Sequence, residues 1–334
     1  MKRILVTGAT GGLGRNAVSA LLAKGVAVRA TGRNLAVGAA LAAAGAQFVA
    51  LDLATASPLA VDALMDDVDA VWHCAALSSP WGPLADFEAA NVRATNYLLG
   101  AAGRLGVERF IHISTPAIYF DFQDHWDVKE DYRPAAYVNA YAATKAQAEE
   151  LVQKAVGLFP AMRCVILRPR AIFGPHDQVL IPRLSRVLAE RGGTLPLARG
   201  GRVTLDLTYV DNVVHAMWLA TETATPVSGE AFNITNDEPV QLGEVLRELF
   251  ERDLGRPFAI RSLPYPILAF AARCMAFFAR RSGKEPALTA YSAGAISFDM
   301  TLDTTRARER LGYRPPVPLA EGLRRTAAWM REHG

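Results

Sequence analysis

The sequence predicts an α/β protein: a doubly wound parallel sheet with a smaller, interleaved C-terminal lobe. Three observations predict it. Short aliphatic runs alternate with longer Ala- and Leu-rich stretches, the runs are apolar at consecutive positions, and a glycine-rich turn follows the first of them. Consecutive apolar residues mark strands covered on both faces, the condition of a parallel sheet whose crossover helices lie above and below it.

Arg3 to Val6 is the first expected strand, and Arg15 to Lys24 the helix that returns from it. Ala27 to Thr31, Gln47 to Leu51 and Ala70 to His73 supply three more strands, Arg109 to Ser114 a fifth and Cys164 to Leu167 a sixth. Beyond Arg168 this rhythm is broken by Pro169, Gly174, Pro175, the Gly192-Gly193 pair and the Gly200-Gly201 pair, so a second lobe begins there. Tyr209 to Thr221 reads as a helix and Ala231 to Ile234 as a strand that return to the first sheet.

Composition narrows the function. The chain has 334 residues, is 51% hydrophobic and carries +3, with both signs scattered, which is a globular pattern without the basic stripe of a nucleic-acid binder. Cys74, Cys164 and Cys274 are far apart, and His73, His112, His125 and His176 do not cluster, so no metal site is expected. Reduced thiols and the absence of a signal-like N-terminus fit a cytoplasmic protein. Ile267 to Ala279 spans 13 positions interrupted by Arg273, short of the roughly 20 needed to cross a bilayer. That segment reads equally as a substrate lid, a core helix or a membrane-surface element.

The turn after the first strand reads Thr7-Gly8-Ala9-Thr10-Gly11-Gly12-Leu13-Gly14 and opens a helix. Glycines allow the tight turn and let backbone N–H groups approach a pyrophosphate, which the positive end of the helix favours. A Rossmann-like unit is therefore expected, with Gly8, Thr10, Gly11, Gly12, Leu13 and Gly14 against a dinucleotide. The plain alternative is a glycine-rich turn without a ligand. Residues 1–168, with returns over 208–234, then form the dinucleotide-binding domain, and 169–207 with 235–334 the substrate-binding lobe. The second strand ends Thr31-Gly32-Arg33-Asn34 with no carboxylate for a ribose, while Arg33 could grip a 2′-phosphate. NADP(H) is expected over NAD(H), which stays the alternative.

The fifth strand delivers Ile113-Ser114-Thr115, and a helix-like segment carries Tyr141-Ala142-Ala143-Thr144-Lys145. Positions four apart share a helix face, so Tyr141 and Lys145 can enter one cleft. A phenol titrating near ~10 is a poor base at neutral pH, and a neighbouring ammonium would correct that. Tyr141 is the expected acid/base, Lys145 its electrostatic partner and Thr115 the group that aligns the reacting oxygen.

The order of these motifs resembles the extended short-chain dehydrogenases/reductases over nearly the whole chain, including Asn91-Val92-Arg93-Ala94-Thr95 and Leu167-Arg168-Pro169-Arg170-Ala171-Ile172-Phe173-Gly174-Pro175. The resemblance implies that Asp52 and Leu53 lie at adenine, that Ala75, Ala76, Asn91 and Ser114 flank the cofactor path, and that Pro169 and Ile172 line its nicotinamide end. It also places Ser79, Trp81, Thr115 and Phe173 beside the substrate, makes Asp303 to Tyr313 and Leu319 to Met330 terminal helices, and implies a homodimer. Pro116 and Ala117 stand where the family's dehydratases carry an Asp-Glu pair. Leu205 stands where its sugar-nucleotide enzymes carry an arginine, although Arg199 or Arg202 could substitute. Asp206 to Asn212, Ala75 to Pro83 and Gly229 to Ile234 are more similar to the branch of 3β-hydroxysteroid dehydrogenases, sterol-carboxylate dehydrogenases and β-keto-acid reductases. That branch implies interconversion of a secondary alcohol and a ketone on a small, largely apolar substrate. A sugar-nucleotide epimerase and a non-catalytic NADP-sensing protein are the alternatives.

Overall fold

The computed structural model describes residues 3–225, 227–282 and 285–333. From the N-terminus, β1 (Arg3–Thr7) turns into α1 (Gly12–Ala23), followed by β2 (Ala27–Gly32), α2 (Leu35–Ala43), β3 (Gln47–Ala50), α3 (Pro58–Leu64) and β4 (Ala70–His73). A helical stretch of α4 (Leu84–Phe87), a π-helical turn (Glu88–Arg93) and α5 (Ala94–Arg104) leads to β5 (Arg109–Ile113). A 3-10 turn (Pro116–Tyr119), β6 (His125–Val128), α6 (Ala140–Leu158) and β7 (Arg163–Pro169) complete the first half. The second half has shorter steps: β8 (Ile172–Phe173), α7 (Leu180–Glu190), β9 (Thr194–Leu197), β10 (Thr204–Leu205), β11 (Thr208–Tyr209), α8 (Val210–Glu222) and β12 (Ala231–Ile234). It continues through β13 (Val240–Gln241), α9 (Leu242–Arg247), β14 (Ala259–Ser262), α10 (Tyr265–Ser282), α11 (Ala290–Ala295), β15 (Met300–Leu302), α12 (Thr305–Arg310) and α13 (Leu319–His333).

Seven strands form one sheet in the order β12-β7-β5-β4-β1-β2-β3, every pair parallel. The chain winds outward from β1 to β3, then crosses back to β4 and winds the other way. The reversal between β1 and β4 opens a crevice at the carboxyl ends of the strands, where such sheets bind ligands. Alternate residues of β1 feed opposite layers: Ile4 and Val6 pack with Ala17, Val18 and Leu21 of α1, and Leu5 with Val61 and Leu98 on the other face.

The sheet strands read from sequence are all present. β12 pairs with β7 and α8 packs on α1, so the chain does return to the first sheet. Tyr209, expected within that helix, instead ends β11 and forms the N-cap of α8. The expected helix over Asp303 to Tyr313 shortens to α12, because Gly312 turns at φ +67° and the buried Tyr313 closes back onto the Ala307 carbonyl. A separate core, including Phe173, Leu188, Leu205, Tyr209, Phe250 and Leu323, fills the second lobe. The small sheet β13-β10-β15-β6 was not legible in sequence, since it pairs segments as distant as His125 and Met300.

Candidate active site

The glycine turn is shaped by contacts that a side chain would prevent. Gly8 has φ +63°, and a Cβ there would lie 2.7 Å from the Ala75 nitrogen. A Cβ on Gly14 would fall 2.2 Å from the Gly8 carbonyl oxygen, so only glycine lets the first turn of α1 close on β1. No side chain caps α1 and no acidic residue occupies its first turn. The N–H groups of Gly12, Leu13 and Gly14 have no carbonyl above them in the helix, so they and the positive helix end face the crevice. Unclaimed donors over a glycine floor suit a dinucleotide's pyrophosphate.

A single cavity of about 1610 Å³ runs from this turn into the second lobe. Its wall includes Gly8, Thr10, Gly11, Gly12, Leu13 and Gly14 at the turn, and Arg33, Asn34, Asp52 and Leu53 at one end. Arg33 is 74% exposed, with a guanidinium nitrogen 3.8 Å from the Asp52 carboxylate. Asn34 accepts from the Val37 N–H (3.1 Å) and so caps α2. Ala75, Ala76, Ser114, Thr115, Tyr141, Lys145, Pro169, Ile172 and Phe173 line the same cavity. The buried Ser114 hydroxyl has no partner among the described residues.

Asn139 starts α6 by accepting from the Ala142 N–H at 2.8 Å, which sets Tyr141 and Lys145 one turn apart on the cavity side. Thr115 accepts from the Ala117 N–H at 3.1 Å, and Thr115 and Tyr141 both line the cavity. Burial pushes the phenol up to about 12, with Thr115 pulling down and Tyr291 pushing further up. The Lys145 ammonium donates to the Ile113 carbonyl at 2.7 Å and meets His112 Nε2 at 3.1 Å. Burial lowers Lys145 to about 8, against the pull of Glu149 and Cys74. Burial first, then the Lys145 and His73 charges, hold His112 well below its ordinary value. A neutral His112 accepts on Nε2 and carries its proton on Nδ1, which finds no partner among the described residues.

Behind this wall, His73 Nδ1 meets the Thr7 hydroxyl at 2.8 Å and Nε2 meets the Thr95 hydroxyl at 2.9 Å. Thr95 donates onward to the Asn91 carbonyl at 2.7 Å, so Thr95 accepts from Nε2–H and Thr7 donates to Nδ1. Asn91 accepts from the Leu77 N–H (2.8 Å) and donates to the Leu77 carbonyl (3.1 Å). It is therefore placed one layer behind the crevice, holding the segment after β4.

Ser79 and Trp81 do not line the cavity. The Ser79 hydroxyl instead donates to the Trp81 carbonyl at 2.7 Å, closing a local turn. Arg199, considered as a stand-in for the missing phosphate ligand, is held by Asp124 at 2.7 Å and Asp299 at 3.3 Å, and Leu205 is buried in the second core. Neither they nor Arg202 line the cavity. The wall residues that the sequence reading did not assign include Arg170, inside a motif read only for Pro169 and Ile172, and Tyr291, from an unpatterned segment. The second-lobe wall is mainly apolar, with Leu184, Leu263, Ile267, Leu268, Met275 and Leu288, and also carries Arg183, Glu190 and Arg191. One edge of α10 thus lines the cavity, while its Phe270, Phe277 and Phe278 are exposed. Among the described residues no helix is long and apolar enough to cross a membrane, and no group of three or more His, Cys, Asp or Glu could hold a metal.

A parallel sheet reversing direction over a glycine cradle, with a phenol and an ammonium in the same crevice, defines an NAD(P)-dependent oxidoreductase acting on CH–OH groups. Residues 4–235 match the NAD dependent epimerase/dehydratase family, and the chain belongs to it. It is 47% identical over 334 residues to "Uncharacterized protein YbjS" of Escherichia coli K12, covering 99% of this chain and 98% of that one. It is 33% identical over 341 residues to "2-alkyl-3-oxoalkanoate reductase" of Stenotrophomonas maltophilia, covering 98% of each. Among solved structures, UDP-glucuronic acid 4-epimerase from Bacillus cereus in complex with NAD matches with a TM-score of 0.78 at 24% identity, over 99% of this chain and 96% of that one. That likeness shows the fold.

Proposed function

We propose that this enzyme interconverts a ketone and a secondary alcohol on a largely apolar substrate, sterol-like or a β-keto acid, with NADP(H) preferred. The observation that carries the reading is one continuous cavity lined by the glycine turn, by Thr115 and Tyr141 and by a mainly apolar second-lobe wall. When bound, the nicotinamide supplies or accepts the hydride. Thr115 and Tyr141 would both bond the reacting oxygen, Thr115 aligning it and Tyr141 giving it a proton in reduction or taking one in oxidation. With its phenol pushed up to about 12, Tyr141 carries its proton at neutral pH. Lys145, anchored by the Ile113 carbonyl, would hold the ribose; the lowering of the phenol expected from its ammonium is not seen, since burial raises Tyr141 instead. The NADP(H) preference is supported by Arg33 at the cavity end and by a second strand that closes without a carboxylate.

Purified enzyme given NADPH and a panel of 3-keto steroids and β-keto acids should consume the cofactor, and Tyr141→Phe should lower the rate by about 10²- to 10⁴-fold. Equal turnover in that variant would sink the assignment. An epimerase would show no net cofactor consumption, and a cofactor sensor would bind NADPH without turnover.

A further inference from the structure

β7 ends at Pro169, and the next side chain is a guanidinium in the wall of the cavity that contains Tyr141. Arg170 is only 8% exposed, its Nε is buried without a partner, and it makes no ion pair among the described residues. Its surroundings work against its charge: burial lowers its pKa, and only Tyr291 and Asp206 pull it back. Asp206 does not neutralise it at contact distance. That carboxylate accepts from the Leu302 N–H at 2.7 Å, and burial raises it to about 6. Leaving an arginine unpaired in a low-dielectric wall is costly, and the cost is removed when an anion arrives.

The anion would have to sit near the reacting carbon. Arg170, Tyr141 and Tyr291 line the same cavity, so an anion on the free guanidinium and a carbonyl at the phenol occupy one space. Of the other arginines in the wall, Arg33, Arg93 and Arg191 are exposed and Arg183 is paired with Glu285; the one buried guanidinium still open matches a carboxylate, whose two oxygens take its parallel N–H groups, better than a dianionic phosphate. Resting on the reductase reading, we propose that Arg170 is a specificity-determining residue that anchors a substrate carboxylate close to the reacting carbonyl. The preferred substrates are then oxo acids whose hydrocarbon part extends toward Leu268 and Met275, and neutral ketones of the same shape are poor ones.

The test compares a 2-alkyl-3-oxo acid with its methyl ester under NADPH, in the native enzyme and in Arg170→Gln. The native enzyme should favour the acid by about 30-fold or more in kcat/KM, and the variant should lose that discrimination mainly through a higher KM for the acid. A second arm is independent of turnover: decanoate and decanol are titrated calorimetrically with NADP+ present. Decanoate should bind at least about tenfold more weakly to Arg170→Gln, with decanol unchanged. Equal use of acid and ester by the native enzyme, a uniform loss on both in the variant, or a loss of NADPH affinity in place of acid discrimination would each overturn the assignment. If no substrate is reduced, the reductase reading fails, while the decanoate arm still decides the role of Arg170. Arg170→Lys, which keeps the charge, should retain part of the discrimination and guards against misfolding.

Discussion

Two arginines that straddle Pro169 have opposite surroundings. Arg168, within β7, is buried behind the sheet and fully engaged: Nε donates to Glu149 at 2.8 Å, Nη2 to the other Glu149 oxygen at 2.5 Å, and Nη1 to the Glu130 carbonyl at 2.7 Å and to the Tyr119 hydroxyl. Burial works against its charge, but the Glu149 bonds and charge outweigh it and raise Arg168 above its ordinary value. Arg170, just past the strand end, is almost as deeply buried and meets none of this. The same residue type is thus scaffold within the strand and an open valence just past its end. Burial alone does not separate the two; hydrogen-bond satisfaction does.

The largest expected effect would sharpen that contrast. Arg168→Met leaves the buried Glu149 with only the distant Arg133, 3.9 Å away, and should cost about 3 kcal/mol of stability by urea unfolding. Arg170→Met removes an unpaired charge and should leave stability unchanged or raise it slightly. A comparable loss at both positions would erase the distinction.

A smaller effect extends it to histidine. His73 is buried with both ring nitrogens bonded, and burial, then the Lys145 charge, lowers it to about 3. A folded-state value below the ordinary 6.5 means that its contribution is complete above pH 6.5 and is lost as pH falls toward 3. Between pH 7 and pH 5 the native protein should lose about 2 kcal/mol that a His73→Gln variant does not. Asp206, raised to about 6, acts in the opposite direction in both proteins and cancels in the comparison. Parallel declines in urea midpoint would remove His73 from the acid response.

The smallest effect concerns a third, exposed arginine. Arg33→Ser should reduce the preference for NADPH over NADH in kcat/KM by about tenfold, since one charge-assisted contact to a phosphate is at stake. An unchanged ratio would leave Arg33 as a surface partner of Asp52, 3.8 Å away.

Much of this was legible in the sequence because it depends on local rules. Consecutive apolar runs gave the strands, the glycines after β1 gave the turn, and the four-residue spacing of Tyr141 and Lys145 gave a shared face. The misses have equally physical causes. Ser79 and Trp81 were placed at the substrate by their neighbours in sequence, yet a hydroxyl that closes its own turn is not available to a ligand. Asn91 was read as a cofactor contact, but a side chain bonded to both ends of Leu77 stands behind the wall. Tyr291 gave no signal, since its position follows only from how α11 docks on the cavity.

Periodicity, turn chemistry and residue type determined by themselves that this chain builds a doubly wound sheet with a glycine cradle at its reversal, since each is set by backbone geometry over a few residues. Which buried charges are matched was decided only in three dimensions. Arg168 finds Glu149 across 19 positions and Glu130 across 38, whereas the Arg170 Nε finds no partner among the described residues, and charge satisfaction depends on what the whole fold brings within about 3 Å.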